Sequence, residues 1–329
     1  MADNELDLFS WQIGKQTLFG TAVPQTAKLM GISGGSLKPV VESSAMSEIR
    51  GVLTPAYNIT LDKKAGSATL EGDLLYEDVP FWLDSIFGLA TPAGVGPYVY
   101  THVGPGAKPT PRIFTLAHGS GVGVQSLVGA IVNKFGFAFE SNKRGTFKTE
   151  FIGQSVVDDT LDALADRTVL PIHSNDVTVS IDAWGGTFGA TPLTVAKYNI
   201  SADFDANRVL QPSVGSITPA SWKQKKGEAK SNTLKIAAEV DTATKAYLDS
   251  ILTATSVGGP LKLLVRVLAS LDANHKFQMD YAGFLAEAPE LYTDADGVAQ
   301  FEFVFSPIYN TTLTTWVKFT TTNQVTTLP

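Results

Sequence analysis

The sequence contains no cysteine, which excludes a disulfide framework, a thiolate nucleophile and a cysteine-built metal site. Charge is sparse: 17% of residues are charged against 44% hydrophobic, a balance that excludes general disorder. There are four histidines, His102, His118, His173 and His275, and no two fall within metal-ligand spacing. They read as ordinary surface or strand-end side chains, His102 in a long loop and His118 at a strand end. No stretch approaches the roughly 18–20 uninterrupted apolar residues of a membrane span. The opening MADNELDLFSW is acidic, where a signal peptide would be basic and then apolar. The formal charge of −7 is a poor basis for gripping nucleic acid by its phosphates.

What is present is a repeat. Thr54-Pro55-Ala56 returns as Thr218-Pro219-Ala220, and Thr69-Leu70 as Thr233-Leu234, both 164 positions on. Leu83-Asp84-Ser85-Ile86 returns 165 positions on as Leu248-Asp249-Ser250-Ile251. Upstream, Pro24, Thr26, Ile32 and Ser33 match Pro192, Thr194, Ile200 and Ser201, all 168 apart. One order of marks at half-chain spacing argues for internal duplication. A length of 329 residues suits two domains. The division is 1–154 with an N-terminal arm, a connector at 155–172, and 173–329.

The period of two over Ser67–Leu75, and over Thr233–Val240, predicts strands with one buried face. Asp62 to Gly66 reads as a hairpin turn, and 34–52 as a loop plus a short strand. After each strand the period lengthens. Asp78 caps a predicted short helix with Pro80 in its first turn, and Gly88 stops it. Asp241 or Thr242 caps its counterpart. Leu83, Ile86 and Phe87, with Leu248, Ile251 and Leu252, mark one apolar helical face. Residues 88–112 read as a long Gly/Pro-rich loop. Phe135, Phe137 and Phe139 alternate, as do Phe147, Thr149 and Phe151, across a turn at Asn142–Gly145. Phe301, Phe303 and Phe305 follow a turn at Asp294–Gly297. The connector carries one expected helical turn near Asp159–Ala165, residues 176–185 start the second domain with an alternating strand, and the tail after Asn310 is extended.

Motifs with chemistry are few. Gly119–Gly123 lacks the Lys-Ser/Thr of a phosphate loop and reads as a turn. Tyr292–Gly297 begins like a calcium loop but lacks the closing glutamate. No Gly-x-Ser-x-Gly elbow occurs. Asp158, Asp159, Asp162 and Asp166 read as a solvated connector face, or as an acidic patch at a subunit contact. Lys223, Lys225, Lys226 and Lys230 beside Trp222 read as a hairpin tip protected by lysines. A nucleic-acid site or a contact with an acidic neighbour are the alternatives there. No cofactor and no enzymatic constellation are expected.

With these segments in place, the chain resembles the major tail tube proteins of long non-contractile bacteriophage tails. The carriers are GKQTLFGTAVPQTAKL (14–29), RGVLTPAY and ATLEGDLLYEDVPFWLDSIFG within 50–88, the block from His118 to Gln154, and PIHSNDVTVSIDAWGGTFGATPL (171–193). The resemblance implies a mainly β fold of two tandem homologous β-sandwich or half-barrel domains, each with a flanking helix. Three chains would then form a pseudo-sixfold β-barrel ring, and rings would stack into a tube that conducts DNA at ejection. It implies self-association, a tape-measure protein in the lumen, tail terminator or tip proteins as partners, and DNA only in passage. It implies no membrane binding, and a virion tail location after assembly in host cytoplasm. Glu71, Asp73 and Glu239, on the polar phases of the repeated strands, are candidates for the lumen face. Tyr98, Tyr100, His102, Lys63, Lys64, Trp222, Lys225 and Lys226 are candidates for contacts between subunits or rings. The competing readings are another β-sandwich assembly or adhesion protein, such as a secretion-tube or virion component, and a carboxylate-based hydrolase.

Overall fold

The computed structural model describes residues 9–46, 58–104, 109–120, 123–225, 231–252, 261–285, 293–295 and 298–325. The first half holds β1 (Ser10–Gln16), β2 (Ala27–Lys28), β3 (Ile32–Met46), β4 (Asn58–Asp73), α1 (Val79–Ile86), β5 (Tyr98–Val103), β6 (Ile113–Ser120), β7 (Gly123–Glu140), β8 (Thr146–Gly153) and β9 (Ser155–Asp159). The second holds β10 (Val177–Ala183), β11 (Lys197–Asp205), β12 (Arg208–Ser213), β13 (Ser216–Gln224), β14 (Thr233–Glu239), α2 (Thr242–Leu252), β15 (Lys262–Ser270), β16 (Lys276–Leu285), β17 (Thr293–Ala295), β18 (Val298–Pro307) and β19 (Val317–Asn323).

One antiparallel sheet runs through both halves in the order β3–β4–β8–β7–β11–β14–β18–β16. The join is β7 to β11, with Phe137 opposite Ala202 and Gly136 opposite Asp203. A second layer covers its apolar face. Under the first half this layer is β1–β6–β7–β9. Under the second it is β10–β15–β16–β19–β5. β7 therefore belongs to both layers: its start pairs with β6 and β9, its end with β8 and β11. The bend falls at Gly129, whose φ of +70° disfavours any residue with a Cβ. The described strands do not close into a barrel.

The alternating phenylalanines explain the cohesion. Phe135, Phe137, Phe139, Phe147 and Phe151 point inward from β7 and β8 and are buried. Phe137 meets Phe277 edge-on at 5.2 Å, and Phe87 meets Phe204 at 5.6 Å, so the core is continuous across the halves. Each such ring, fully buried, contributes about 1.5–3 kcal/mol. Trp82 of α1 stacks on Phe147 at 5.5 Å. α1 is buried on every side rather than along one stripe, because its outward Asp84 and Ser85 are covered too. α2 follows the expected start: Asp241 Oδ1 accepts the Thr244 N–H at 2.7 Å, and Thr244 Oγ1 accepts the Asp241 N–H at 2.7 Å. These are the reciprocal bonds of a capping box.

Several local expectations are corrected. The loop plus short strand expected over 34–52 is, as far as residue 46, part of one 15-residue strand. Asp62–Gly66 is not a turn; it lies inside β4, where Asp62 is the extra residue of a bulge between the pairs Glu42–Lys63 and Ser43–Leu61. A polar, lysine-bearing stretch mimics a turn, yet here it simply faces solvent on a long hairpin. The 88–112 loop contains β5, which the C-terminal β19 captures with Thr101 opposite Thr320. Asp78 occupies the helix N-cap position without a side-chain cap bond, since Arg167 holds its carboxylate at 2.6 Å. The connector has no helical turn: β9 continues into irregular chain. The first-copy Thr-Pro-Ala mark, Lys226, Lys230 and the turn residues Asp296-Gly297 lie outside the described residues.

Candidate assembly surface

Alternation decides which side chains share the uncovered face of the eight-strand sheet. Directly opposed residues lie on one face. The row Glu71–Lys148–Gly136–Asp203–Thr233 crosses five strands from β4 to β14. Asp73 lies two residues from Glu71, and Glu239 six from Thr233, so all three candidate lumen acids are on this one face. β4, β8, β11, β14 and β18 each add an acid to it: Glu71, Glu150, Asp203, Glu239 and Glu302. Lysines are interleaved. Lys134 meets Glu150 at 3.0 Å and Lys235 meets Glu302 at 3.4 Å. Arg144 of the following turn meets Asp73 at 3.0 Å. These are exposed pairs of small net worth; they set the charge texture of the face. Gly72, Gly136 and Ala138 line a groove of about 380 Å³ between Glu71 and Asp203.

The sheet's ends differ from its middle. β11 has a neighbour on each side, β14 and β7. β3 pairs only with β4 among the described residues. Its outer edge is a row of unpaired backbone groups, the kind that recruits another strand. Beyond the sheet, the far parts of β3 and β4 run on as an arm exposed on both faces.

Where the halves meet, Arg208 at the start of β12 reaches into the first half and is 3% exposed. Its Nη1 donates to Ser85 O and Val132 O, both at 2.6 Å, and its Nη2 to Ile86 O at 2.9 Å. Two of those carbonyls end α1, where orphan acceptors need donors. Burial pushes the Arg208 pKa down to about 9, so it stays charged at neutral pH. Trp222 lies over the guanidinium at 5.3 Å. Ala206 N–H donates to Asn133 O at 2.8 Å, and Arg208 N–H to Asn133 Oδ1 at 2.7 Å. A second contact between the halves joins Glu77 to His275 at 3.6 Å. Burial raises the neighbouring Asp78 to about 6, against the opposing pull of Arg167.

The other expected contact residues separate. Tyr98 is half-buried on β5. Tyr100 is buried, and its hydroxyl donates to Val325 O at 2.6 Å. His102 is no surface side chain: it is buried on β5, with Nε2 2.7 Å from Asp84 Oδ1. Arg112 grips the other oxygen of Asp84, with Nε at 2.8 Å and Nη2 at 2.6 Å. Lys63 pairs with Glu42 on the arm, and Lys64 is exposed there. Lys223 and Lys225 stand at the base of the β12–β13 hairpin, whose tip is Val214-Gly215 rather than the lysine run. Of the connector acids, Asp158, Asp162 and Asp166 are exposed and Asp159 is half-buried, a solvated face that also makes bonds. Asp162 Oδ2 accepts Gln25 N–H at 2.9 Å, Asp159 accepts Gln25 Nε2 at 3.0 Å, and Asp166 meets Lys28 at 2.6 Å. These bonds tie the connector to β2 and to Gln25 just ahead of it. Sequence reading missed Arg208, which no motif marks. It also passed over Asp84, although an acid between Leu83 and Ile86 on an apolar helix was a usable signal.

The fold and surface define a β-structural subunit: one sheet with a polar face, a core behind it and an edge open to pairing. The family model described as Phage tail tube protein matches residues 11–303. The chain belongs to that family, which is one of structural components of the virion tail and not of enzymes. No curated protein matches it.

Proposed function

We propose that this protein is the repeating subunit of a tail tube wall, three chains to a ring, and that the tube conducts DNA at ejection. One observation carries the reading: β7 and β11 fuse the two halves into a single sheet, while β3, the counterpart of β11, keeps an open edge. The strands fall into two sets in the same order, β3–β4–β8–β7 and β11–β14–β18–β16. Each set has its helix after the second-listed strand, α1 after β4 and α2 after β14. That order, with the sequence echoes, supports duplication. If each chain repeats outwardly the join it makes inwardly, the outer side of β17, which pairs only with β18 among the described residues, meets β3 of the next chain. Three chains of eight strands then close a barrel of 3 × 8 = 24 strands with no edge left. The face bearing Glu71, Asp73 and Glu239 lines the lumen in this arrangement. Three chains at −7 give −21 per ring, which disfavours the phosphate neutralisation that would hold DNA in place. A tape-measure protein would fill this lumen during assembly, and terminator and tip proteins would meet the tube ends.

Electron microscopy and sedimentation of the purified, concentrated protein test the reading. Threefold rings or tubes built from 35.0 kDa chains are expected. A monomer at every concentration and salt condition overturns it.

A further inference from the structure

Before Gly66 the β3–β4 arm pairs with no strand outside its own hairpin among the described residues, although β13 of the same chain lies close to β4. Opposed residues put Val41 with Lys64, Ser43 with Leu61 and Ala45 with Ile59 on one side, an apolar run with one lysine and one serine. Val41 is 57% exposed, Ile59 70% and Leu61 39%. The other side is mostly polar and internally bonded, with Met46 at its end: Glu42 pairs with Lys63, and Ser44 Oγ lies 2.8 Å from Thr60 Oγ1. A two-stranded ribbon with exposed apolar side chains does not gain stability by itself. Such a face on a soluble chain marks a contact surface.

The chain holds a template for what covers it. β11 and β12 together occupy the place of β3, and β13 with β14 the place of β4. In the second half this hairpin is interrupted. β11 stops at Asp205, Asn207 takes a φ of +50°, and β12 resumes at Arg208. The break lets the β12–β13 hairpin lie down on the first half. Arg208 enters beneath α1, and Gln154 Nε2 donates to Pro219 O at 2.9 Å. The docked hairpin is thus seated on the very half whose β7 pairs with β11. The β3–β4 hairpin is continuous and reaches farther.

We infer that the β3–β4 arm docks through its Val41–Leu61–Ile59 face on the second half of a neighbouring copy of this chain, as β12–β13 docks on the first half of its own. The partner is a second copy because the open edge beside the arm calls for the same four-strand set that flanks β11. This inference rests on the tube reading and adds a specific contact to it. The arm brings apolar area to a seam that edge pairing alone would join by backbone hydrogen bonds.

The absence of cysteine allows a clean test. A single Ile59→Cys variant is labelled with a maleimide photo-crosslinker, mixed with ¹⁵N-labelled unmodified chain, concentrated and irradiated. Mass spectrometry then locates the crosslinks. Crosslinks between chains into residues 173–325 are expected. Crosslinks between chains confined to residues 9–153, or crosslinks only within one chain in a sample that has formed tubes, overturn the docking and leave the tube reading intact. Failure of the unmodified protein to assemble overturns both. In parallel, Val41→Asp with Ile59→Asp should raise the concentration needed for assembly at least tenfold without altering the thermal midpoint of the unassembled chain, since both side chains are exposed there. Unchanged assembly by that variant also overturns the docking.

Discussion

Arg208 offers the sharpest check on how the two halves are held together. Its guanidinium makes three bonds to buried carbonyls. A charge-assisted bond contributes about 1.5–3 kcal/mol, so the three together supply roughly 5–9 kcal/mol. Burial opposes this: the fall from 12.5 to about 9 corresponds to roughly 5 kcal/mol against the charged form. The bonds exceed the cost by about 0–4 kcal/mol, so Arg208→Met should destabilise by about 2 kcal/mol. Arg208→Lys should be worse than Met at pH 7. Its ammonium retains the desolvation cost but lacks the fork that reaches Ser85 O, Val132 O and Ile86 O together. Urea unfolding of the unassembled chain measures both. The order wild type, then Met, then Lys is expected. A methionine variant as stable as wild type would show that the three bonds give no net stability. A lysine variant more stable than methionine would show that charge placement, not fork geometry, matters there.

Asp84→Ala should cost about 3–5 kcal/mol in the same assay, because it leaves Arg112 charged and buried without its carboxylate; a loss below about 1 kcal/mol would refute the pairing. Asp78 binds its proton more tightly folded than unfolded, with a pKa near 6 against an ordinary 3.8. Its contribution therefore favours folding most below about pH 4 and is lost as pH rises through 6, an effect of about 3 kcal/mol. The stability difference between wild type and Asp78→Asn should shift by that amount between pH 4 and 7, and parallel pH profiles would refute it. On the tube reading, Glu71→Lys with Glu239→Lys should leave assembly intact but make tubes retain double-stranded DNA in a salt-dependent manner; equal retention by wild type and variant would place these residues away from the lumen.

What was legible in the sequence was periodicity. The phases of Leu70, Phe137, Phe151, Leu234 and Phe303 gave strands, buried faces and the mainly β class, because a period of two survives whatever the strand packs against. The helix at Val79–Ile86 was legible from Pro80 and the change of period. Long-range pairing was not. β5 looked like loop because Gly and Pro surround it, and it is a strand only because β19, more than 200 residues later, lies beside it. β3 looked like loop plus a short strand because its glycines and exposed polar residues blur the alternation, the mark of an arm that leaves the core. The connector acids are solvated as their sequence suggests, but their bonds to Gln25 and Lys28 were not legible, because those partners are remote in sequence. Sequence phase correctly put Glu71, Asp73 and Glu239 on polar faces, but only the β7–β11 join makes those faces one surface. Arg208 was illegible since nothing local distinguishes an exposed strand arginine from one that enters a neighbouring half.

On the duplication reading, the two ends of the repeated unit explain why the copies diverged where they did. The join inside the chain is made once, during folding, and can be permanent. It has a buried arginine, a continuous phenylalanine core and a hairpin broken at Asn207 so that it lies flat. On the tube reading, a join between chains must form from separate subunits and must not form too early. A bare strand edge and a modest apolar arm suit that requirement, since each is weak in isolation and they act only together. A buried, unpaired arginine in the arm's place would be costly before assembly and is absent: the described part of the arm carries lysines, Lys63 and Lys64, which remain solvated. On the tube reading, then, the difference between Arg208 in one hairpin and Val41 with Ile59 in the other separates a seam made by folding from a seam made by assembly. Exchanging the two chemistries should either lock assembly or prevent it.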